Sequence, residues 1–301
     1  MRGRSAAGRP LLPFVLLILL ALTACRPAEP ADAAGAASGQ RAIQNKGSDT
    51  LVNLALAWAE AYQTVRPDVS IAVTGGGSGT GIAALINGTV DIANASREMK
   101  PEEIAAAQAN GIEPVETLVA IDALAVIVHP DNPVEALTLQ QLSDIYIGRV
   151  TNWAEVGGAD APIVLLSRET NSGTHVYFLE EVIRLGQEDN EDIFAPQTLL
   201  MPSSVGITNE LGRNPNAIGY DGLGYVTPEE KMIAVARDEH SPYVLPSVET
   251  GSDGSYPLAR GLYMYTAGEP TGDVADYMNW IKGPEGQAIV ANLGFVPLPK
   301  E

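Results

Sequence analysis

The sequence predicts an α/β fold, with mixed, mostly parallel sheets flanked by helices and two lobes that enclose a ligand cleft. Three observations predict it. Short apolar runs alternate with amphipathic stretches from residue 43 onward, the rhythm of βαβ units whose crossover helices cover both faces of a parallel sheet. Roughly 260 residues follow the N-terminal segment, enough for one or two hydrophobic cores. Donor-rich segments of glycine, serine and threonine recur where strands should end and helices begin, which is where open α/β sheets take their ligands.

The N-terminus reads as an export signal. Arg2, Arg4 and Arg9 precede an apolar run over 11–22, broken by Pro13 and too short to span a bilayer alone. Leu22-Thr23-Ala24-Cys25 closes that run and resembles a bacterial lipobox. The resemblance implies a signal peptide over 1–24 and a lipid on Cys25, hence an extracytoplasmic protein anchored to a membrane. Cys25 is the only cysteine, so no intrachain disulfide can form and packing must hold the fold. Residues 25–42 read as the lipidated cysteine and a flexible tether, because 26–40 are small, polar and proline-containing.

The elements follow in order. Residues 42–45 suit a strand, and 50–64 space Leu51, Leu54, Ala55, Trp58, Ala59 and Tyr62 as one helical face. A strand covers 69–74, and a helix over 81–87 stops at Gly88. Another strand covers 91–95. A helix over 100–110 has Pro101 in its first turn and stops at Gly111. The apolar stretch 115–128 predicts two strands. Helices near 138–146, over 174–185 and over 274–281 alternate with strands at 163–166, 217–220 and 258–265. Chain crossings near 122–128 and 255–262 would divide lobe I (43–125 plus 258–301) from lobe II (126–257). Pro130, Asn132 and Pro133 suit the turn into the second.

Eighteen basic and 37 acidic residues give a net charge of −19, which falls to −22 without the three arginines of the signal. Such a chain is a poor partner for nucleic acid or an anionic membrane surface. Four segments nevertheless suit an anion: Gly47-Ser48-Asp49-Thr50, the glycine loop 75–81, Asn94-Ala95-Ser96-Arg97, and residues 167–174. The first N–H groups of a helix lack intrahelical partners and carry the positive end of its dipole. Glycine lets backbone approach, hydroxyls donate, and arginine clamps an oxyanion bidentately. A Ser or Thr before a helix is ordinarily only an N-cap; four such segments in one chain point to a ligand. No P-loop lysine, G-x-S-x-G elbow, H-E-x-x-H pair or other metal spacing accompanies them. His175 stands too near Ser172 along the helix start to suggest a base, and the sequence predicts no catalytic residue, metal or cofactor.

The ordered motifs GSDT, GGGSGTGI, DIANASR, NWAEVGG, SRETNSGTH and AIGY resemble the phosphate-binding subunit of bacterial phosphate ABC importers, over roughly 43–295. The resemblance implies a periplasmic-binding-protein fold of the second type and a monomer. Its partners would be inorganic phosphate and an ABC permease. Carried over by motif, the ligand residues would be Thr50, Ser78, Arg168 and Ser172-Gly173-Thr174, with Ser48, Leu51, Ser96 and Arg97 beside them. One departure stands out. Well-studied members place an aspartate after the Ala-Ser of the third motif, where it accepts the proton of monohydrogen phosphate; here that residue is Arg97, which offers donors only. Either Asp49 or Asp122 takes the acceptor role, or the site prefers a more fully charged anion. Tungstate, molybdate or sulfate binding, an extracytoplasmic phosphatase, and a surface adhesin or sensor are the alternatives the residues leave open.

Overall fold

The computed structural model describes residues 42–299. The signal peptide, Cys25 and all of the predicted tether but Ala42 lie outside the described residues.

Strand β1 (Ile43–Gly47) enters helix α1 (Asp49–Val65), followed by β2 (Ile71–Thr74), α2 (Ser78–Ile86), β3 (Ile92–Ala95) and α3 (Pro101–Ala109). Each helix has a local cause. In α1 the buried residues Leu51, Leu54, Ala55, Trp58 and Tyr62 recur every three or four positions. Trp58 Nε1 donates to Gly286 O at 2.8 Å, and the Tyr62 ring packs 5.0 Å from that of Tyr277. Helix α2 begins at Ser78, three residues earlier than the pattern suggested. Gly76 and Gly77 hold φ of 118° and 88°, which L-residues rarely adopt, so the glycine loop turns sharply and the helix starts within it. Helix α3 opens on Pro101, and Glu103 accepts from the Lys100 N–H.

Strand β4 (Pro114–Val128) is one 15-residue strand where two were expected. It is about 50 Å long at strand rise, and it stays continuous because it changes partners midway. Residues 114–123 pair with β10 (Ala259–Ala267), and 124–128 pair with β8 (Ala217–Gly222), all antiparallel. Then come β5 (Ala136–Thr138), α4 (Leu139–Tyr146), β6 (Val164–Arg168), α5 (Gly173–Phe178), β7 (Leu199–Met201), α6 (Ser204–Leu211), β8, β9 (Lys231–Ala236), α7 (Val248–Ser252), β10, α8 (Gly272–Lys282) and α9 (Pro284–Asn292). Helix α4 has a capping box in which Thr138 and Gln141 serve each other's backbone N–H. The helix expected over 174–185 is six residues of α-helix from Gly173 and then a π-turn over Leu179–Ile183.

The main path of the sheet runs β2-β1-β3-β10-β4-β8-β6-β7, with β9 also on β4 and β5 on β9. Five of its described pairings are parallel and four antiparallel. Two large apolar clusters meet at β4. Val119 and Ala120 pack with α1, α8 and α9, while Leu124, Val126 and Val128 pack with Leu142, Phe178 and Tyr220. Asp122, between these two sets on β4, faces Arg260 directly across the β4–β10 ladder.

Candidate functional site

All four predicted segments meet, where β1, β2, β3 and β6 end. Ser48 leads into α1, Gly77 into α2 and Ser172 into α5. The Thr50 and Thr174 hydroxyls lie 3.0 Å apart although 124 residues separate them. Ser78 Oγ stands 3.3 Å from Ser96 Oγ and accepts the Ser96 N–H at 3.0 Å. Gly173 packs on both serines. A Cβ there would lie 2.4 Å from Ser78 Oγ and 2.6 Å from Ser96 Oγ, so only glycine admits this approach. Asn171 stitches the segments together, accepting from Gly79 N at 3.0 Å and donating to Gly76 O at 2.9 Å. Thr50, Ser78, Ser96, Ser172 and Thr174 are all buried.

Arg168 ends β6 and is only 1% exposed. Its Nη2 donates to Asp49 Oδ2 at 2.7 Å and Pro202 O at 3.3 Å, Nη1 to Ser204 Oγ at 3.0 Å, and Nε to Met201 O at 3.3 Å. Ser204 in turn donates to Asp221 Oδ1 at 2.9 Å. Asp221 is fully buried, and that burial pushes its carboxyl up to about 6 against the pull of Arg168. Asp49 is used on both oxygens, since Oδ1 accepts from Gly76 N at 2.9 Å.

Sequence reasoning missed Arg260. Its Nη2 donates to Asp122 Oδ2 at 2.9 Å, to Thr174 Oγ1 at 2.8 Å and, at the limit of 3.5 Å, to Thr50 Oγ1. The signal for it was faint: an arginine on the inward-facing alternation of β10 with Leu262 and Met264. Burial raises the Asp122 carboxyl, opposed by Arg260.

Two predicted residues sit elsewhere. Arg97 forms a bidentate ion pair with Glu103, both nitrogen-oxygen distances 2.7 Å, and Nη1 also donates to Glu98 O. Its fork thereby holds the start of α3, because Glu103 also accepts from Lys100 N. The Leu51 side chain belongs to the α1 core and its N–H donates to Ser48 O at 3.1 Å. Ser48 is buried and its N–H donates to Asn94 O at 2.9 Å, tying the start of α1 to β3. His175 turns away from Ser172. It stacks on Phe194 with ring centroids 4.5 Å apart, Nδ1 lies 3.0 Å from Ser167 Oγ, and burial pulls it down to about 4.

The arrangement is a knot of donors. Hydroxyls from three helix starts, two buried arginines each paired with an acid, and close-packed glycines converge on one point. Such a set suits a small, fully desolvated anion. Among the described residues no group of three His, Cys, Asp or Glu side chains could hold a metal ion.

Residues 32–285 match the PBP superfamily domain. The phosphate-binding protein PstS of Pseudomonas aeruginosa is 35% identical over 274 residues, covering 85% of this chain and 83% of the relative. The phosphate-binding protein PstS of Bacillus subtilis is 32% identical, covering 87% and 82%. Among solved structures, a Clostridium perfringens protein described as a phosphate ABC transporter substrate-binding protein with bound phosphate superposes with a TM-score of 0.77. It is 33% identical, covering 86% of this chain and all of that one. An ABC-type phosphate transport receptor from Vibrio cholerae gives 0.68 at 29% identity, covering 85% and 100%. Fold, motif order and relatives agree: the chain belongs to the PBP superfamily and, within it, to the family of the phosphate-binding proteins PstS.

Proposed function

We propose that the protein captures inorganic phosphate outside the cytoplasm, without catalysis, and delivers it to an ABC permease. The observation that carries this reading is the buried convergence of Thr50, Ser78, Ser96, Ser172 and Thr174 beside Arg168. Hydroxyls and backbone N–H groups would replace the ligand's water, and Arg168 would supply charge. Capture then proceeds as two lobes, 43–125 with 258–301 and 126–257, close on the anion. A lipid on Cys25 would hold the protein at the membrane through the tether over 25–42. A net charge of −22 is no obstacle, because remote acids are screened beyond roughly 8 Å at physiological salt.

Asp122 is the acceptor for the phosphate proton in this reading. Asp49 has both oxygens engaged, whereas Asp122 Oδ1 is buried and has no partner. An acceptor there favours a protonated oxyanion over sulfate. Calorimetric titration of the mature, anion-stripped protein with phosphate, sulfate, molybdate and tungstate tests the reading. Phosphate should bind tightest, and Asp122→Asn should narrow its lead over sulfate. Failure of the refolded protein to bind phosphate sinks the proposal. Mass spectrometry of membrane-extracted protein tests the lipid, and Cys25→Ser should release the protein.

A further inference from the structure

We propose that Arg260 is a second guanidinium ligand of the captured oxyanion, presented to it by Asp122 and by the ring of Tyr177. The proposal rests on the capture reading above and adds a residue that no motif assigns.

Burying a guanidinium is costly unless its donors are met. Arg260 is 6% exposed, and its donors are met only in part. Arginine has five N–H groups. Nε and Nη2 serve Asp122, Thr174 and Thr50. Nη1 is buried and has no hydrogen-bond partner, so two N–H groups of a charged side chain go unanswered. Asp122 Oδ1, on the other half of the same ion pair, is likewise unanswered. Buried polar groups without partners are rare in folded proteins and call for a reason. A ligand oxygen is a sufficient one here, because Nη2 of the same planar group already touches the two threonine hydroxyls of the donor knot.

The guanidinium is also held in place. Asp122 faces Arg260 directly across the ladder and accepts from both Nε and Nη2. The Arg260 Cζ lies 5.2 Å from the Tyr177 ring centroid, and Tyr177 OH donates to Ala259 O at 3.2 Å, which fixes the ring. Arg168 differs in its accounting. Four of its five N–H groups go to Asp49, Ser204, Met201 and Pro202, leaving one for a ligand against two on Arg260.

The test is phosphate calorimetry on the mature, anion-stripped protein, comparing wild type with Arg260→Lys and Arg260→Gln, and Asp122→Asn with the double variant Arg260→Gln/Asp122→Asn. The double variant removes the stranded acid that Arg260→Gln alone would leave buried. The expected result is at least about 30-fold weaker phosphate binding for Arg260→Gln against wild type and for the double variant against Asp122→Asn, with Arg260→Lys between Arg260→Gln and wild type. A Kd for Arg260→Gln within threefold of wild type, whatever the melting temperature, overturns the proposal and leaves capture standing. Wild-type protein that binds no phosphate overturns both. Should the variants fail to fold, a crystal structure of the wild-type phosphate complex decides. Arg260 Nη1 within about 3.2 Å of a phosphate oxygen is expected. Phosphate held by Arg168 and residues 172–174 without Arg260 refutes it.

Discussion

Replacing Arg168 by Met keeps most of the side-chain volume and removes the charge and all five donors. The residue is buried, and its guanidinium spans Asp49, Ser204 and two carbonyls, so the change strands acceptors on three elements. Breaking a buried ion pair from one side costs about 3–5 kcal/mol. The Asp49 side chain is 20% exposed and can recover some hydration, which places the stability loss near the lower figure. The loss in binding is separate. Removing one partner of a buried, charge-assisted contact costs about 2–5 kcal/mol, which weakens Kd from about 30-fold to several thousand-fold. Urea unfolding gives the first quantity and phosphate calorimetry the second. The double variant Arg168→Met/Asp49→Asn removes the stranded carboxylate, so binding lost in both variants belongs to Arg168 itself. A folded Arg168→Met protein whose Kd stays within threefold of wild type would remove Arg168 from the ligand site.

Further outcomes follow from individual side chains. Gly173→Ala drives a methyl into Ser78 Oγ and Ser96 Oγ, so it should lower stability by about 1–3 kcal/mol and weaken phosphate binding; unchanged affinity would show that the loops part without consequence. Asp221 holds its proton to about pH 6 in the folded state against 3.8 for the ordinary carboxyl, so the folded form binds the extra proton between those values and stability falls as pH rises through that window. Asp221→Asn should therefore stabilise the protein above pH 6, by up to about 3 kcal/mol, and not below pH 4; urea midpoints at pH 4 and 8 check it. His175 has the opposite sign. Its folded value of about 4 lies below 6.5, so its contribution is present above 6.5 and lost as pH falls toward 4, and His175→Phe should flatten that acid limb in thermal melts. Arg97→Met should loosen α3, seen as faster amide exchange at Glu102 and Glu103, while phosphate Kd holds within threefold; a large loss of affinity would return Arg97 to the ligand site.

Some features of this protein were determined by the sequence alone because they depend on neighbours a few residues apart. The helical face of α1, the opening of α3 on Pro101 and the sharp glycine loop before α2 rest on periodicity, first-turn preferences and positive φ. The four donor segments were legible for the same reason, since a strand that ends in Gly, Ser or Thr before a helix is a local pattern. Pairing between distant segments was not legible. Nothing local says that β4 stays one strand by exchanging β10 for β8, or that Asp122 meets Arg260 across 138 positions. Arg97 shows the limit from the other side. Its position in a donor-rich motif suggested a ligand, yet Glu103, in the first turn of α3, takes its fork. Tertiary structure decides such cases because a guanidinium goes to whichever buried carboxylate it can reach with good geometry, and reach is a property of the folded chain.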